Sequence, residues 1–429
     1  MNEHGARKLR PLWMHGHADT IDLQKWAAHE LLFYFAFFMF VLKYTFDYSS
    51  ILARNELLNS LLAGLCVAAS IAKIALQRYT IKRLALTFTL CAVVGYSSYI
   101  SVNNLFLYSF LLTIAVQDID IERVIRVSFY TKIASIVFHV LIYIVVFITD
   151  QESINFVFRG GSSGVPRHFF FMGHANTFSA FLLWSSIDYI FLNYKKLNVF
   201  HLAVIWIVNL SFYAFTFTNT ALLLLGAVTV LVALDKLGKG VFDKMITVTA
   251  KYGYTVFAAL CAFLTAIYAS LDGALRTMWD AFDRFMTGRL WYGAYAFDFF
   301  GPTFFGRTLS GIPEKIFWQN RWQDAFYTFD SHYLGNLYCY GIINLVLTGL
   351  ALIILCRKME TREKIIIIAF SIYAISEAYV TNVVICSAMF IIGKYIYSGI
   401  PEKTSKQGKL RDSASSGAKQ ALEQGNGNN

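Results

Sequence analysis

Charged residues are scarce in this sequence of 429 residues. Aspartate, glutamate, lysine and arginine make up 15% of the chain, whereas about a quarter of the residues in soluble globular domains are charged. Hydrophobic residues make up 57%, and a water-soluble fold cannot bury that much apolar surface. Apolar runs of about 17 to 25 residues, the length that crosses a bilayer, recur along the chain. The composition therefore excludes a soluble enzyme and predicts a polytopic α-helical membrane protein.

Motifs of nucleotide and metal chemistry are also missing. The chain has no Gly-x-x-x-x-Gly-Lys-Ser/Thr loop and no His-Glu-x-x-His, which argues against an ATP-driven pump and a zinc protease. Its six cysteines include no Cys-x-x-Cys pair and lie within or at the ends of apolar runs. We therefore expect neither disulfides nor a metal site, and no cofactor.

The apolar runs divide into twelve predicted spans, so the expected fold class is an all-α polytopic membrane helix bundle. The spans are Ala27–Phe46, Glu56–Leu76, Leu84–Ile100, Asn104–Val116, Val127–Thr149, Asn176–Leu192, Val199–Phe217, Thr220–Leu234, Tyr252–Ser270, Tyr333–Cys356, Ile365–Val380 and Val383–Tyr397. Residues 1–26 precede this domain of residues 27–397. Residues 398–429 are rich in Lys, Ser, Gly and Gln, which predicts a disordered tail.

Basic residues are concentrated in alternate loops. If the N-terminus is cytoplasmic, the short outer loops carry only Arg54. The inner loops carry Arg78, Lys82, Arg83, Arg123, Arg126, Lys195, Lys196, Lys236, Lys239, Lys244, Lys251, Arg357, Lys358, Arg362 and Lys364. Positive residues favour the cytoplasmic side during membrane insertion. Both termini are therefore predicted to be cytoplasmic, and the net charge of +10 reflects insertion rather than a nucleic-acid partner.

This orientation leaves two long segments outside, residues 150–175 and 271–332. A loop as long as the second is uncommon without structure of its own. Apolar residues recur in it at three- and four-residue steps, which predicts an amphipathic helix in the membrane interface, as part of a lid. Its apolar positions are Leu275, Met278, Trp279, Phe282, Phe285 and Met286, with Arg276, Asp280 and Asp283 opposite. A lid without any catalytic part is the alternative.

The first outer segment contains the residues best suited to chemistry. Arg159 and Arg167 can each offer a planar fork of donors to phosphate, and three glycines between them let backbone N–H groups approach an anion. His174 and Asn176 follow where the next span begins. This combination predicts a pyrophosphate site. A flexible loop whose arginines meet lipid headgroups is the alternative.

Further polar candidates lie in and after the second outer segment. Arg289 follows the amphipathic helix, and Asp330 and His332 lie where the chain enters the next span. His332 could accept a proton from a hydroxyl group, while Asp330 could orient it or act as the base itself. The alternative is that Asp330 and Ser331 cap the helix that follows. Glu377, in the outer part of its predicted span, is another candidate base, or the partner of an arginine in a buried ion pair.

Charged residues within the spans have separate interpretations. Those near span ends are expected to reach the interface with their long side chains: Glu30, Lys43, Lys73 and Asp188. Lys132 and His139 are seven residues apart on one helix and therefore share a face. We expect that face to point into the bundle, because charge facing lipid is costly.

Two sequence blocks carry a resemblance to a known family. One runs from Arg167 to Gly173-His174-Ala175-Asn176, with alanine where a proline is usual. The other comprises Thr287-Gly288-Arg289, Phe305-Gly306, Asp330-Ser331-His332-Tyr333 and Gly341. With the layout of residues 27 to 397, they resemble the Wzy-type polysaccharide polymerases, relatives of the O-antigen ligases.

The resemblance implies a GT-C-like, metal-independent glycosyltransferase in the bacterial cytoplasmic membrane. Its donor would be an undecaprenyl-pyrophosphate-linked oligosaccharide, polymerised at the outer face into O-antigen, capsule or exopolysaccharide. Membrane lipids, a chain-length regulator and a flippase are the implied partners. The implied roles are phosphate binding by Arg159, Arg167 and Arg289, a base among His332, Asp330 and Glu377, and shaping of the site by His174 and Asn176. The alternatives are a ligase-type glycan transferase, a lipid-linked oligosaccharide flippase or other transporter, and a non-catalytic scaffold.

Overall fold

A computed structural model of the protein describes residues 28–77, 79–154, 156–159, 164–238, 240–285, 288–308 and 329–400. Within these ranges the chain is helical apart from turns and one short β-hairpin. The flanking segments predicted before residue 27 and after residue 400 lie outside the described residues. Each of the twelve predicted spans overlaps a helix, although the last three are only partly helical, because long apolar runs satisfy their backbone hydrogen bonds internally only as helices in a membrane.

The described helices and strands follow one another in chain order. In order they are α1 (Ala28–Tyr48), α2 (Glu56–Ala75), α3 (Ile81–Ser101), α4 (Asn104–Ala115), α5 (Ile121–Thr149), β1 (Val157–Arg159), β2 (Val165–Arg167), α6 (Ala175–Leu192), α7 (Val199–Thr216), α8 (Asn219–Gly238), α9 (Asp243–Ser270), α10 (Gly273–Phe285), α11 (Arg289–Phe300), α12 (His332–Gly335), α13 (Ile342–Leu355), α14 (Thr361–Tyr373) and α15 (Ala388–Tyr395).

Among the described residues, seven helices are long and apolar enough to cross a membrane: α1, α2, α3, α5, α7, α8 and α9. Only 11 to 33% of their most apolar windows is buried inside the protein. Large apolar side chains such as Phe88, Leu223 and Phe263 are therefore exposed, which is stable against lipid hydrocarbon and unfavourable in water. By length and composition the chain is a multi-pass helical membrane protein, as predicted.

The helices run up and down, so that their connections gather at two ends of the bundle. At one end, which we call the site end, the α1–α2 connection donates from Ser50 N to Phe171 O (2.9 Å), and His332 N donates to Ala374 O (3.0 Å). Ion pairs join the helices at the opposite end, including Arg362 to Glu122 at 2.6 Å. Both long segments predicted to lie outside therefore meet at the site end.

The described part of the lid segment contains two helices, α10 and α11. The predicted amphipathic helix is α10, and it exposes Leu275, Met278 and Phe282 on one face. Asp283, predicted to lie opposite that apolar face, is buried, because its carboxylate accepts hydrogen bonds from the first backbone N–H groups of α11. The helix α11 follows in an aromatic-rich stretch for which the sequence predicted no second helix.

The predicted span Tyr333–Cys356 is interrupted. After α12 the chain forms a π-helical turn, Asn336–Tyr340, and α13 begins only after Gly341. Residues 301–308 dock on this turn through main-chain hydrogen bonds, among them Thr303 N to Leu337 O (3.0 Å) and Arg307 N to Cys339 O (2.8 Å). The docked segment supplies partners that a regular helix would supply itself.

Replacement of Gly341 by alanine is expected to detach residues 301–308 from the π-helical turn. Gly341 has φ +103°, and a Cβ atom there would lie 2.6 Å from Phe304 O. Such strain costs about 1 to 3 kcal/mol for the backbone conformation alone. Faster limited proteolysis of the lid and a lower Tm would record the change. The matched control is Gly95→Ala on α3, where a Cβ atom meets nothing within 4 Å; equal behaviour of both variants would contradict the prediction.

The predicted span Ile365–Val380 is shorter than expected. Its helix, α14, ends at Tyr373, and residues 374–387 form turns and the 3₁₀ segment Ala378–Thr381 before α15 begins. The interruption coincides with a run from Val380 to Ile385 in which every residue except Asn382 is β-branched, and such residues are less favourable in helices. Glu377 therefore lies outside any helix, at the site end, and not in the outer part of a span.

A fully buried ion pair joins α5 to α6. Lys132 Nζ lies 2.7 Å from a carboxylate oxygen of Asp188, and both side chains are completely buried. Lys132 also donates to Ile385 O (2.9 Å), and Ser387 donates to Asp188. The inward direction predicted for Lys132 is confirmed. The prediction that Asp188 reaches the interface was wrong, because Lys132 supplies the opposite charge that permits its burial.

Replacement of Asp188 by alanine is expected to destabilise the protein by about 3 to 5 kcal/mol, because the charge of Lys132 then remains buried without compensation. The double variant Lys132→Met/Asp188→Leu should recover most of the loss, since no charge is left to desolvate. Thermal unfolding in detergent measures both. A double variant no more stable than Asp188→Ala would show that the pair contributes through geometry rather than charge.

Candidate functional site

Arg167 joins three separate elements at the site end. It ends strand β2, which pairs antiparallel with β1 and places Arg167 opposite Val157. Its guanidinium group donates through Nε to Thr216 O (2.7 Å) at the end of α7 and through Nη2 to Thr218 Oγ1 (2.8 Å) in the α7–α8 connection. Nη2 also donates to Asn176 Oδ1 at 2.8 Å. Arg167 thereby fixes the start of α6 against the start of α8.

The start of α6 is fixed by its own sequence. His174 is the N-cap, and its Nδ1 accepts a hydrogen bond from Asn176 N at 3.1 Å. Burial and the nearby charge of Arg167 lower the pKa of His174, while Asp330 opposes them. A neutral imidazole suits this position, because the unprotonated nitrogen can accept from the helix N-terminus.

Arg289 enters the site from the lid segment. It is the first residue of α11, and the buried carboxylate of Asp283 accepts from the N–H groups of Leu290 and Trp291 at 2.8 and 3.3 Å. Arg289 Nη2 donates to Ser376 O at 2.8 Å. The lid is thus attached to the α14–α15 connection by the residue predicted to bind phosphate.

Glu377 is the point at which these elements meet. Its Oε1 lies 3.8 Å from Arg289 Nη2 and accepts hydrogen bonds at 3.4 Å from Asn176 Nδ2 and Thr220 Oγ1. Asp330 is on the other side of Arg289, with 3.9 Å between Oδ2 and Nη2. Arg167 and Arg289 are therefore linked through Asn176 and Glu377. We call Arg167, Asn176, Arg289, Asp330 and Glu377 the arginine cluster.

Three helices begin at this cluster. Asn176, Thr220 and Arg289 lie in the first turns of α6, α8 and α11. The N-terminus of a helix carries partial positive charge, which favours a nearby anion. Together with two guanidinium groups, the three N-termini make the cluster suited to a phosphate group rather than to a metal cation.

Burial raises the pKa of the Glu377 carboxyl to about 8, with repulsion from Asp330 adding to the effect and attraction by Arg289 opposing it. Glu377 lies in the α14–α15 connection, outside the membrane-spanning helices. A carboxyl of this kind is largely protonated at pH 7, so it neutralises the arginines only in part. A pKa near the working pH is also the property expected of a general base.

The structure brings most of the predicted site residues together, but not all. Asp330 is half-exposed beside Arg289, whereas His332 is buried, with its ring beside Tyr254 Oη (3.0 Å) and Asn336 Nδ2 (3.1 Å). The predicted alternative of a helix cap is met by Ser331, the N-cap of α12. His332 therefore packs between helices next to the cluster. These contacts do not favour His332 as the base.

The remaining arginine of the first loop is described only in its backbone. Arg159 ends β1 opposite Val165, two positions from the pairing of Arg167 with Val157. Its side chain and Gly160 and Gly161 lie outside the described residues, so its phosphate role stays a prediction.

Residues 160–164 have the spacing Gly-x-Ser-x-Gly of a nucleophile elbow. That motif joins a strand to a helix, whereas here both flanking elements are strands.

Three contributors to the site were not predicted from the sequence. Thr218 and Thr220 lie at the polar break between two predicted spans, and they contact Arg167 and Glu377. Ser376 contributes its carbonyl oxygen to Arg289, and a backbone contact leaves no side-chain signal. The sequence signal that could have indicated the two threonines is their position on either side of Asn219, at the end of an apolar run.

Comparison with known proteins identifies no relative of this chain. No family model matches it, and neither a curated protein sequence nor a solved structure matches it. The function must therefore be argued from the cluster and its surroundings.

Proposed function

We propose that this protein polymerises oligosaccharide repeat units carried on undecaprenyl pyrophosphate, as the Wzy-type resemblance implies. The observation that carries the proposal is the arginine cluster, in which cationic side chains from two separate loops meet around one buried carboxyl in a multi-pass membrane protein. Such an arrangement at the end of a membrane bundle suits a lipid-linked pyrophosphate. The basic residues at the opposite end support an orientation with the cluster at the outer face and both termini in the bacterial cytoplasm.

The proposed reaction needs only groups that the cluster supplies. A hydroxyl oxygen of the acceptor unit attacks the anomeric carbon of the donor, and the bond from that carbon to the pyrophosphate oxygen breaks. Glu377 accepts the hydroxyl proton, with Asp330 as the alternative base. Arg289, with Arg167 behind it, stabilises the negative charge that develops on the departing undecaprenyl pyrophosphate. No metal or cofactor takes part in this scheme.

The experiment that tests this function is an analysis of lipid-linked glycans in cells that lack the protein. We expect single repeat units to accumulate on the lipid carrier, and long chains to return when the gene is restored. Accumulation of long lipid-linked chains would instead indicate a ligase-type transferase. Accumulation of units on the cytoplasmic side only would indicate a flippase, and unchanged glycans would exclude all three.

A further inference from the structure

An apolar cavity of about 380 Å³ lies between α3, α4, α13 and α15. Its volume falls within the range of about 300 to 1,000 Å³ typical of small-molecule sites. Leu350 and Ile354 line it and are still 50% and 60% exposed, so the cavity opens through the side of the bundle. Other lining side chains are Leu86, Leu90, Phe110, Leu347, Ala351 and Ile392.

Two chain segments that carry residues of the arginine cluster also contribute to the lining of this cavity. His332, Asn336 and Thr381 supply polar groups to its lining, which is otherwise mostly apolar. His332 follows Asp330 by two residues, and Thr381 follows Glu377 by four. These two chain segments are joined by the hydrogen bond from His332 N to Ala374 O. The same two segments therefore form part of the cluster on one side and of the cavity wall on the other.

We propose that the cavity holds the first part of a polyprenyl chain whose pyrophosphate is bound by the arginine cluster. The proposal rests on the proposed function and adds where the carrier lipid lies. A molecule with an anionic head and an unsaturated hydrocarbon tail matches the cationic cluster and the adjoining apolar cavity together. The side opening lets the remainder of a long chain extend into the surrounding lipid. His332 and Asn336 then contact the carrier near its head rather than the sugar.

The test compares undecaprenyl diphosphate with inorganic pyrophosphate, which supplies the head without a hydrocarbon chain. Binding is measured to the full-length protein in nanodiscs of phosphatidylethanolamine and phosphatidylglycerol. Ala351→Trp and Leu86→Trp fill the cavity from opposite walls, and Ala203→Trp on the exposed face of α7 is the matched control. If a few methylene groups of the lipid chain can no longer be buried in the cavity, Kd is expected to increase about tenfold or more.

We expect both cavity variants to bind undecaprenyl diphosphate at least about tenfold more weakly than wild type, and the control to bind it unchanged. Retained binding of inorganic pyrophosphate shows that the variants are folded, because the head site is intact. Unchanged undecaprenyl diphosphate binding in both variants would overturn the assignment and leave the cavity to bulk phospholipid. A wild-type protein that binds neither diphosphate would overturn the proposed function itself.

Discussion

Replacement of Arg289 by alanine is expected to reduce polymer formation by about 10²- to 10³-fold, the loss typical when one group that stabilises transition-state charge is removed. Arg289 contacts Glu377, Asp330 and Ser376 O, and so connects the lid to the base candidates. Its loss removes positive charge where the pyrophosphate departs. The effect is measured as the length of the polymer on lipid-linked glycans, in membranes that contain equal amounts of the wild-type or variant protein.

The matched control for this variant is Arg284→Ala. Arg284 is an exposed arginine of α10, five residues from Arg289 and outside the cluster. Arg289→Lys should retain charge but not the planar fork of donors, and it should lie between wild type and alanine in activity. Equal polymer from Arg284→Ala and Arg289→Ala would refute the catalytic place of the cluster.

Replacement of Glu377 by glutamine is expected to lower the rate by about 10²- to 10⁴-fold, the contribution typical of a general base. Glutamine keeps the size of the side chain and its hydrogen bonds with Asn176 and Thr220, but it cannot accept a proton. Asp330→Asn is the comparison variant, because Asp330 is the half-exposed carboxylate on the other side of Arg289. If Asp330→Asn abolishes polymer and Glu377→Gln does not, Asp330 is the base.

The pH dependence of the rate follows from the upward shift of the Glu377 pKa. Because the Glu377 pKa is raised to about 8, the wild-type rate should increase with pH through that value, and Glu377→Gln should lack this increase. The unfolded carboxyl has a pKa of about 4.3, so the folded state binds the extra proton between these values. The contribution of Glu377 to stability is therefore lost as pH rises from about 4.3 toward 8.

A measurement of Tm checks the same sign without any activity assay. At a pH above the Glu377 pKa, Glu377→Gln should be more stable than wild type, because it removes a buried charge. At a pH below 5 the two proteins should unfold at similar temperatures. A wild-type Tm that does not fall relative to the variant as pH increases would show that the carboxyl is not held in its protonated form.

The helices were predictable because long apolar runs allow little else in a membrane. Interruptions within them were not, since hydropathy carries no signal for a main-chain break such as the π-helical turn Asn336–Tyr340 or the end of α14 at Tyr373. The break after Tyr373 was decisive for the site, because it moves Glu377 out of a helix and next to Arg289. Local propensity reveals such a break only in retrospect, from the β-branched residues that follow.

The candidate residues were predictable one by one, but their grouping was not. Arg167, Arg289, Asp330 and Glu377 each stood out as a polar residue beside an apolar run. Only packing decides that Asn176 connects Arg167 to Glu377, whereas His332 turns toward Tyr254. A short Asp-Ser-His pattern before a helix is equally compatible with a cap and with a base, and the contacts of its side chains separate the two.

The attachment of residues 301–308 to the π-helical turn uses main-chain atoms and two glycines, Gly306 and Gly341. Such an anchor fixes the route of the chain while leaving most side chains of the segment open to exchange. Related chains could therefore exchange side chains along this strip while the main chain keeps its route, provided that both glycines are retained.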